Sequence, residues 1–305
     1  MTVGVDLSRG ELINVGQLVP AVISNKAIKN NNLGNRRSKI LGQGMDFDQI
    51  RQYQFGDDIR SIDWKSSARL QKTYIKTYKE ERQRPIFLLI DLNSSMLFAS
   101  KKAFKSVIAA RLATLFAFLA LQSDDKIGAI IYSQNHHFEI KPKSPKTGIN
   151  LLICKLVDLH KKALQDIDNP NKNTQQNSKF NTLEFALSRL SRVAKSGNLT
   201  IIISDFFEFN AKAQAWATRL SKRNQVLFNF VYDPLEQNPP KADDYWVSGN
   251  NMIQKMSLRS AGNRAIYRNF FTEKLTFLTK FCKNNKIQLQ QISTTIDLSK
   301  IVPDL

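Results

Sequence analysis

Two short stretches carry residues that can do chemistry. In Ile86-Phe-Leu-Leu-Ile-Asp91-Leu-Asn93-Ser94-Ser95-Met96, five apolar residues run without a break into an aspartate. Asp91, Asn93 and Ser95 then alternate, so three oxygen-bearing side chains can converge from one tight loop. Hard divalent cations such as Mg²⁺ take oxygens of this kind in octahedral array. Leu199-Thr-Ile-Ile-Ile-Ser204-Asp205 repeats the design and supplies a second carboxylate. The plainer reading of both aspartates is that they cap loops by accepting backbone N–H groups.

The elements that must position these residues are buried strands. Continuous apolar runs rich in Ile, Leu and Phe predict strands covered on both faces. Asp91 and Asp205 then stand at carboxyl ends, where open α/β sheets place their ligand crevice. Residues 102–122 read as a helix, apolar nearly all round in its second half and therefore buried. Strands follow at 127–132 and 137–140, joined by a turn at Asn135. An amphipathic helix covers 147–164. Further helices are expected at 182–194, 210–222 and 262–284, with strands at 226–232 and 287–293 and a small hairpin between 235 and 260. Alternating helices and buried strands predict an α/β fold: a doubly wound, mostly parallel sheet with one antiparallel edge strand. Residues 165–180, Asn/Gln-rich and nearly free of apolar side chains, read as a mobile loop placed to gate the same edge.

Residues 85–295 are expected to form this main domain. Residues 1–84 are expected to pack on it as a smaller attachment, and 296–305 to form a tail. Within 1–84, residues 10–28 carry a rough helical stripe and 73–79 alternate as a half-exposed strand. The cluster Asp57, Asp58, Arg60 and Asp63 beside Trp64 reads as an arginine–carboxylate network pinned by a buried tryptophan, since charges near a core persist when paired.

The 305 residues carry a formal net charge of +19 and a pI near 9.9. The excess is spread evenly, at net +6 in 1–84, +6 in 85–165 and +7 in 166–305. That distribution fits a generally basic surface that meets acidic protein surfaces better than it fits a specific nucleic-acid groove. Cys154 and Cys282 lack metal-ligand spacing and read as free thiols in a reducing compartment. The N-terminus lacks a signal-peptide core. The strongest apolar stretch, Leu112 to Leu121, is shorter than the roughly 20 residues of a membrane span. A cytoplasmic protein is expected.

A longer pattern joins these pieces. It comprises Arg51-Gln-Tyr53-Gln-Phe55-Gly56-Asp57-Asp58-Ile-Arg60-Ser-Ile62-Asp63-Trp64, with Ala68-Arg69 and Glu80-Glu81-Arg82 after it. Leu89-Ile-Asp91 through Ser95-Met96, Ile203-Ser204-Asp205-Phe206 and Asp233-Pro234-Leu-Glu236 complete it. Over nearly its whole length the chain resembles the bacterial domain-of-unknown-function 58 family, with a von Willebrand factor A-like domain. The resemblance implies frequent pairing with MoxR-type AAA ATPases and does not supply an established activity. It also implies a metal-ion-dependent adhesion site: Asp-x-Ser-x-Ser on a first loop, a Thr on a second and an Asp on a third. Asp91, Ser95 and Asp205 match this pattern. Asn93 replaces the first serine and still offers a carbonyl oxygen. Asn181 takes the threonine position, with Thr182 one residue late. The metal set implied by the resemblance is therefore Asp91, Asn93, Ser95, Asn181, Thr182 and Asp205, holding Mg²⁺ or another divalent cation completed by an acidic group from a partner.

These readings converge on a non-enzymatic protein-interaction module whose rim is formed by Asp91, Asn93, Ser95 and Asp205. Two other classes remain open. A nucleic-acid-binding basic protein has the charge in its favour. A phosphotransferase of the haloacid dehalogenase type would need a second aspartate two residues after Asp91, and Asn93 there cannot shuttle protons.

Overall fold

The computed structural model describes residues 4–23, 46–79, 85–168, 182–249 and 252–301. In chain order the elements are α1 (Arg9–Val15), continued by a 3-10 turn at Gly16–Leu18, then β1 (Asp46–Gln52), α2 (Trp64–Leu70) and β2 (Tyr74–Lys79). Next come β3 (Ile86–Asp91), α3 (Lys105–Gln122), β4 (Ile127–Tyr132), β5 (His137–Lys143), α4 (Pro145–Asp168) and α5 (Leu183–Val193). The remainder is β6 (Leu199–Ser204), α6 (Ala211–Ser221), β7 (Gln225–Tyr232), α7 (Pro234–Gln237), β8 (Asp244–Gly249), β9 (Met252–Ser257), α8 (Ala261–Asn284) and β10 (Gln288–Ser293).

The main sheet has the order β10-β7-β6-β3-β4-β5, parallel throughout except for the antiparallel edge strand β5. This is the expected doubly wound, mostly parallel architecture with one antiparallel edge strand. Strand alternation sends β3 into two cores. Ile86, Leu88 and Ile90 face the layer of α1, α3 and α4, while Phe87 and Leu89 face α5, α6 and α8. Helix α3 is buried on nearly every face, which explains its unbroken apolar sequence. It is long and apolar enough to cross a membrane by length and composition, yet here it packs on the sheet. Gly128 on β4 lets the Phe87 ring approach closely, because an added Cβ there would lie 2.7 Å from it.

The chain after β3 builds β4 on one side and, after α4 and α5, returns to build β6 on the other. The strand order therefore reverses between β3 and β6. Open α/β sheets leave their ligand crevice at the carboxyl ends of strands at such a point. Asp91 ends β3 and Asp205 follows β6, so the topology delivers both to the same crevice.

The boundary expected at residue 84 is corrected. Met1–Arg36 cluster with Arg84–Leu305, and Arg37–Gln83 form a second compact unit. The stripe of α1 makes the reason plain, since Leu12 and Val15 are buried in the core under α3 and α4. At the other end Leu298 and Ile301 are buried in the same core, so the final described residues are not a loose tail.

The second unit holds the antiparallel pair β1–β2 and the short helix α2. Its charged cluster is organised differently from the expectation. Asp57 accepts two bonds from Arg51 at 2.9 and 2.6 Å. Asp58 and Asp63 cap the turns that follow them. Trp64 is 69% exposed and pins nothing. It opens α2 directly after its cap, and that position turns the indole outward.

Candidate functional site

An open cavity of about 280 Å³ lies at the carboxyl edge of β3 and β6, bounded by Asp91, Asn93, Ser95, Thr182, Asp205 and Phe207. Five of the six expected ligand residues are thereby brought together. Asn181 and the loop from 169 to 181 lie outside the described residues. Residues 165–168, expected in that loop, continue helix α4.

Each carboxylate is half committed to its own loop. Asp91 Oδ1 accepts the Asn93 N–H at 3.0 Å, and Asp205 Oδ1 accepts the Phe207 N–H at 3.0 Å. The other oxygens differ. Asp91 Oδ2 accepts the Ser204 hydroxyl at 2.6 Å, and Ser204 Oγ in turn accepts the Phe206 N–H at 2.9 Å. Asp205 Oδ2 accepts the ammonium of Lys105 at 2.8 Å. Phe206, between these groups, has φ of 52° and stacks on Phe228 at 4.6 Å. A bulky residue in the left-handed region is strained, and here packing holds it there.

Lys105 was not legible as a site residue. It opens α3, is buried, and donates also to Glu236 Oε1 at 2.6 Å. Glu236 is held by the α7 capping box, where its Oε2 accepts the Asp233 N–H at 2.9 Å. Asp233 accepts the Ser100 N–H, the Thr294 hydroxyl and the Leu235 N–H. Lys105 thus ties the head of α3 to the ends of β6 and β7. The available signal was a lysine leading an otherwise buried helix, which must find counter-charge.

The two aspartates are pushed in opposite directions. Burial, and then the charge of Asp205, raise Asp91 to about 7, against the pull of Ser204 and the Asn93 N–H. Burial also acts to raise Asp205. The charges of Lys105 and Lys274 outweigh it and hold this carboxyl below the usual range. Tyr132, paired with Asp91 in the sheet register, keeps a buried hydroxyl with no well-formed hydrogen bond.

The donor set fits a hard cation. Asn93 Oδ1 is buried at the cavity without a hydrogen-bond partner among the described residues, so a carbonyl oxygen is left for a ligand to satisfy. Thr182 Oγ1 accepts the Phe185 N–H at 3.2 Å as the cap of α5 and retains a lone pair. Asp91 and Ser95 complete an all-oxygen set suited to Mg²⁺. Among the described residues no group of three His, Cys, Asp or Glu side chains is placed to hold a metal, so neutral oxygens would have to supply most of the ligands. As a cap, Thr182 has a measurable structural role. Thr182→Ala is expected to lower stability by about 1 kcal/mol. A lower urea midpoint at unchanged slope would show this, and an unmoved midpoint would contradict it.

A larger groove of about 500 Å³ adjoins through Phe207 and Glu208, bounded also by Phe270, Lys274 and Phe277. Elsewhere, Ser106 and His160 form a buried pair at 3.1 Å beneath α1. Both residues are almost fully buried, as suits a core hydrogen bond.

The fold and this edge define a doubly wound α/β protein with two aspartates at the carboxyl edge of its sheet. The chain belongs to the family described as protein of unknown function DUF58, whose model matches residues 49–276. It is 22% identical over 212 residues to uncharacterized proteins of Mycobacterium bovis and Mycobacterium tuberculosis, covering 69% of this chain and 62% of theirs. It therefore spans less than two thirds of the length of those relatives. Among solved structures it is similar to the conserved hypothetical protein BatB of Bacteroides thetaiotaomicron. That match has a TM-score of 0.41 and 16% identity, and covers 69% of this chain and 90% of that one. It is also similar to the SpRpn10 VWA domain, with a TM-score of 0.33 and 8% identity, covering 72% and 92%.

Proposed function

We propose that this protein is a non-enzymatic interaction module that receives an acidic group of a partner protein at the β3–β6 edge. The proposed partner is a MoxR-type AAA ATPase, with the pair acting in assembly or maturation of other proteins. The observation that carries this reading is the convergence of Asp91, Asn93, Ser95 and Thr182 on one open cavity, with the Asn93 carbonyl oxygen left unpartnered among the described residues. These four residues would hold Mg²⁺ or another divalent cation. A bound divalent ion supplies a point of positive charge that a partner carboxylate completes. Asp91 would bring the negative charge, Asn93 and Ser95 neutral oxygens, and Thr182 a hydroxyl fixed by its own helix.

The neighbouring groove favours a protein over a small molecule as the partner. Phe207, Phe270 and Phe277 are 63%, 69% and 45% exposed around it, and grouped exposed aromatics mark interaction surfaces. The phosphotransferase reading lacks its second aspartate. Asn93 occupies the place of the second carboxylate, and Asp205 is committed to Lys105.

Binding of an immobilised MoxR-type ATPase, measured in Mg²⁺ and in chelator, tests the reading. Wild type should bind in Mg²⁺ and lose at least about tenfold in affinity in chelator, with Asp91→Ala or with Ser95→Ala, since tenfold corresponds to about 1.4 kcal/mol. Undiminished binding by both variants would remove this edge as the interaction site.

A further inference from the structure

The adhesion-type arrangement depends on two acidic loops, but in this chain one of them already has a cation. Lys105 is 1% exposed, and its ammonium lies 2.8 Å from Asp205 Oδ2 and 2.6 Å from Glu236 Oε1. The remaining Asp205 oxygen takes the Phe207 N–H. Of the two buried aspartates at the cavity, Asp91 alone is without an ammonium partner among the described residues; its bonds come from a hydroxyl and a backbone amide, and Glu208 adds an exposed carboxylate at the rim. Lys274, half-buried, adds a second positive charge near Asp205.

We infer that Lys105 sets the cation affinity of this site: its tethered ammonium neutralises Asp205, so of the two buried aspartates Asp91 alone stays uncompensated and the inner cavity holds a divalent cation weakly. The inference rests on the cation reading above and makes it specific. Affinity of oxygen sites for hard cations rises with ligand charge. A positive charge fixed within a few ångströms acts against a second one, at an interior dielectric where little water screens it. Weak holding suits a site whose ion is meant to be completed by a partner's carboxylate. It also makes Lys105 a positioning residue, since it acts on the cavity through Asp205.

Removing the charge of Lys105 should therefore tighten cation binding while loosening the fold. A residue of merely structural importance would weaken both. Mn²⁺ alone serves as the probe, with free ion counted by electron paramagnetic resonance. Lys105→Met should bind Mn²⁺ at least about tenfold more tightly than wild type. Lys105→Gln, which keeps a hydrogen-bonding head without the charge, should do the same if the methionine variant does not fold. Lys105→Arg should stay near wild type. Adding Asp205→Asn to Lys105→Met should abolish the gain.

The outcomes separate the two ideas. Wild type binding Mn²⁺, with neither Lys105→Met nor Lys105→Gln tighter, overturns the role of Lys105 and leaves the cation reading standing. A silent wild type with a binding Lys105→Met supports the role of Lys105 and overturns cation binding by the natural site. Silence in every chain overturns both.

Discussion

Lys105→Met should lower the stability of the metal-free protein by about 3–5 kcal/mol, because breaking a buried ion pair strands the partner charge. Lys105 and Asp205 have side chains only 2% and 3% exposed, so water cannot take over. Glu236, at 33%, loses less because it can turn to solvent. Asp205→Asn in the same chain should return a good part of the loss, since no buried charge is then unpaired. Chemical denaturation of the two single variants and the double variant reads the coupling as a double-mutant cycle. Additive losses would mean that the pair contributes little and that Lys105 stabilises mainly through the packing of its stem.

The second large effect concerns pH, where two buried groups act in opposite senses. His160 is held at about 4, first by burial, against an ordinary value of 6.5. Its folded form binds the proton less readily than its unfolded form. Stability is therefore lost as pH falls from about 6.5 towards 4, by about 3 kcal/mol. Asp91 is raised from 3.8 to about 7, so its folded form keeps the proton longer. Its contribution is present at low pH and is lost as pH rises from about 4 to 7, by a similar amount. In chelator the wild-type contributions of these two groups should nearly cancel across that window. His160→Gln should unmask a stability that falls with rising pH, and Asp91→Asn one that rises. Parallel profiles for all three chains would contradict the burial of both groups.

The sequence announced the crevice more clearly than its charge balance. Two apolar runs ending in Asp91 and Asp205 are local signals, and strand alternation with helices implied their shared edge. The cap of α5 is also a local signal, although Asn181 and Thr182 both precede the apolar stripe and only the structure picks Thr182. Lys105 could not be found this way. Its partners lie 100 and 131 residues away in the chain, and a lysine at a helix start ordinarily reads as solvated. Glu236 stood in the sequence only as part of the pattern Asp233-Pro234-Leu-Glu236, and the capping box that fixes it spends one carboxylate oxygen and says nothing about the other. Trp64 was misplaced because residue type alone favours burial, whereas its position directly after the cap of a two-turn helix faces it outward. The split of residues 1–84 between two units was hidden for a related reason. The stripe of α1 shows that it is buried, but not against which element.

The most direct test is an anomalous difference map from crystals grown with Mn²⁺. A peak within coordination distance of Asp91, Asn93 Oδ1 and Ser95 is the expected result, with Asp205 still bound to Lys105. An empty crevice, with the Asn93 carbonyl oxygen satisfied by ordered water, would contradict the account.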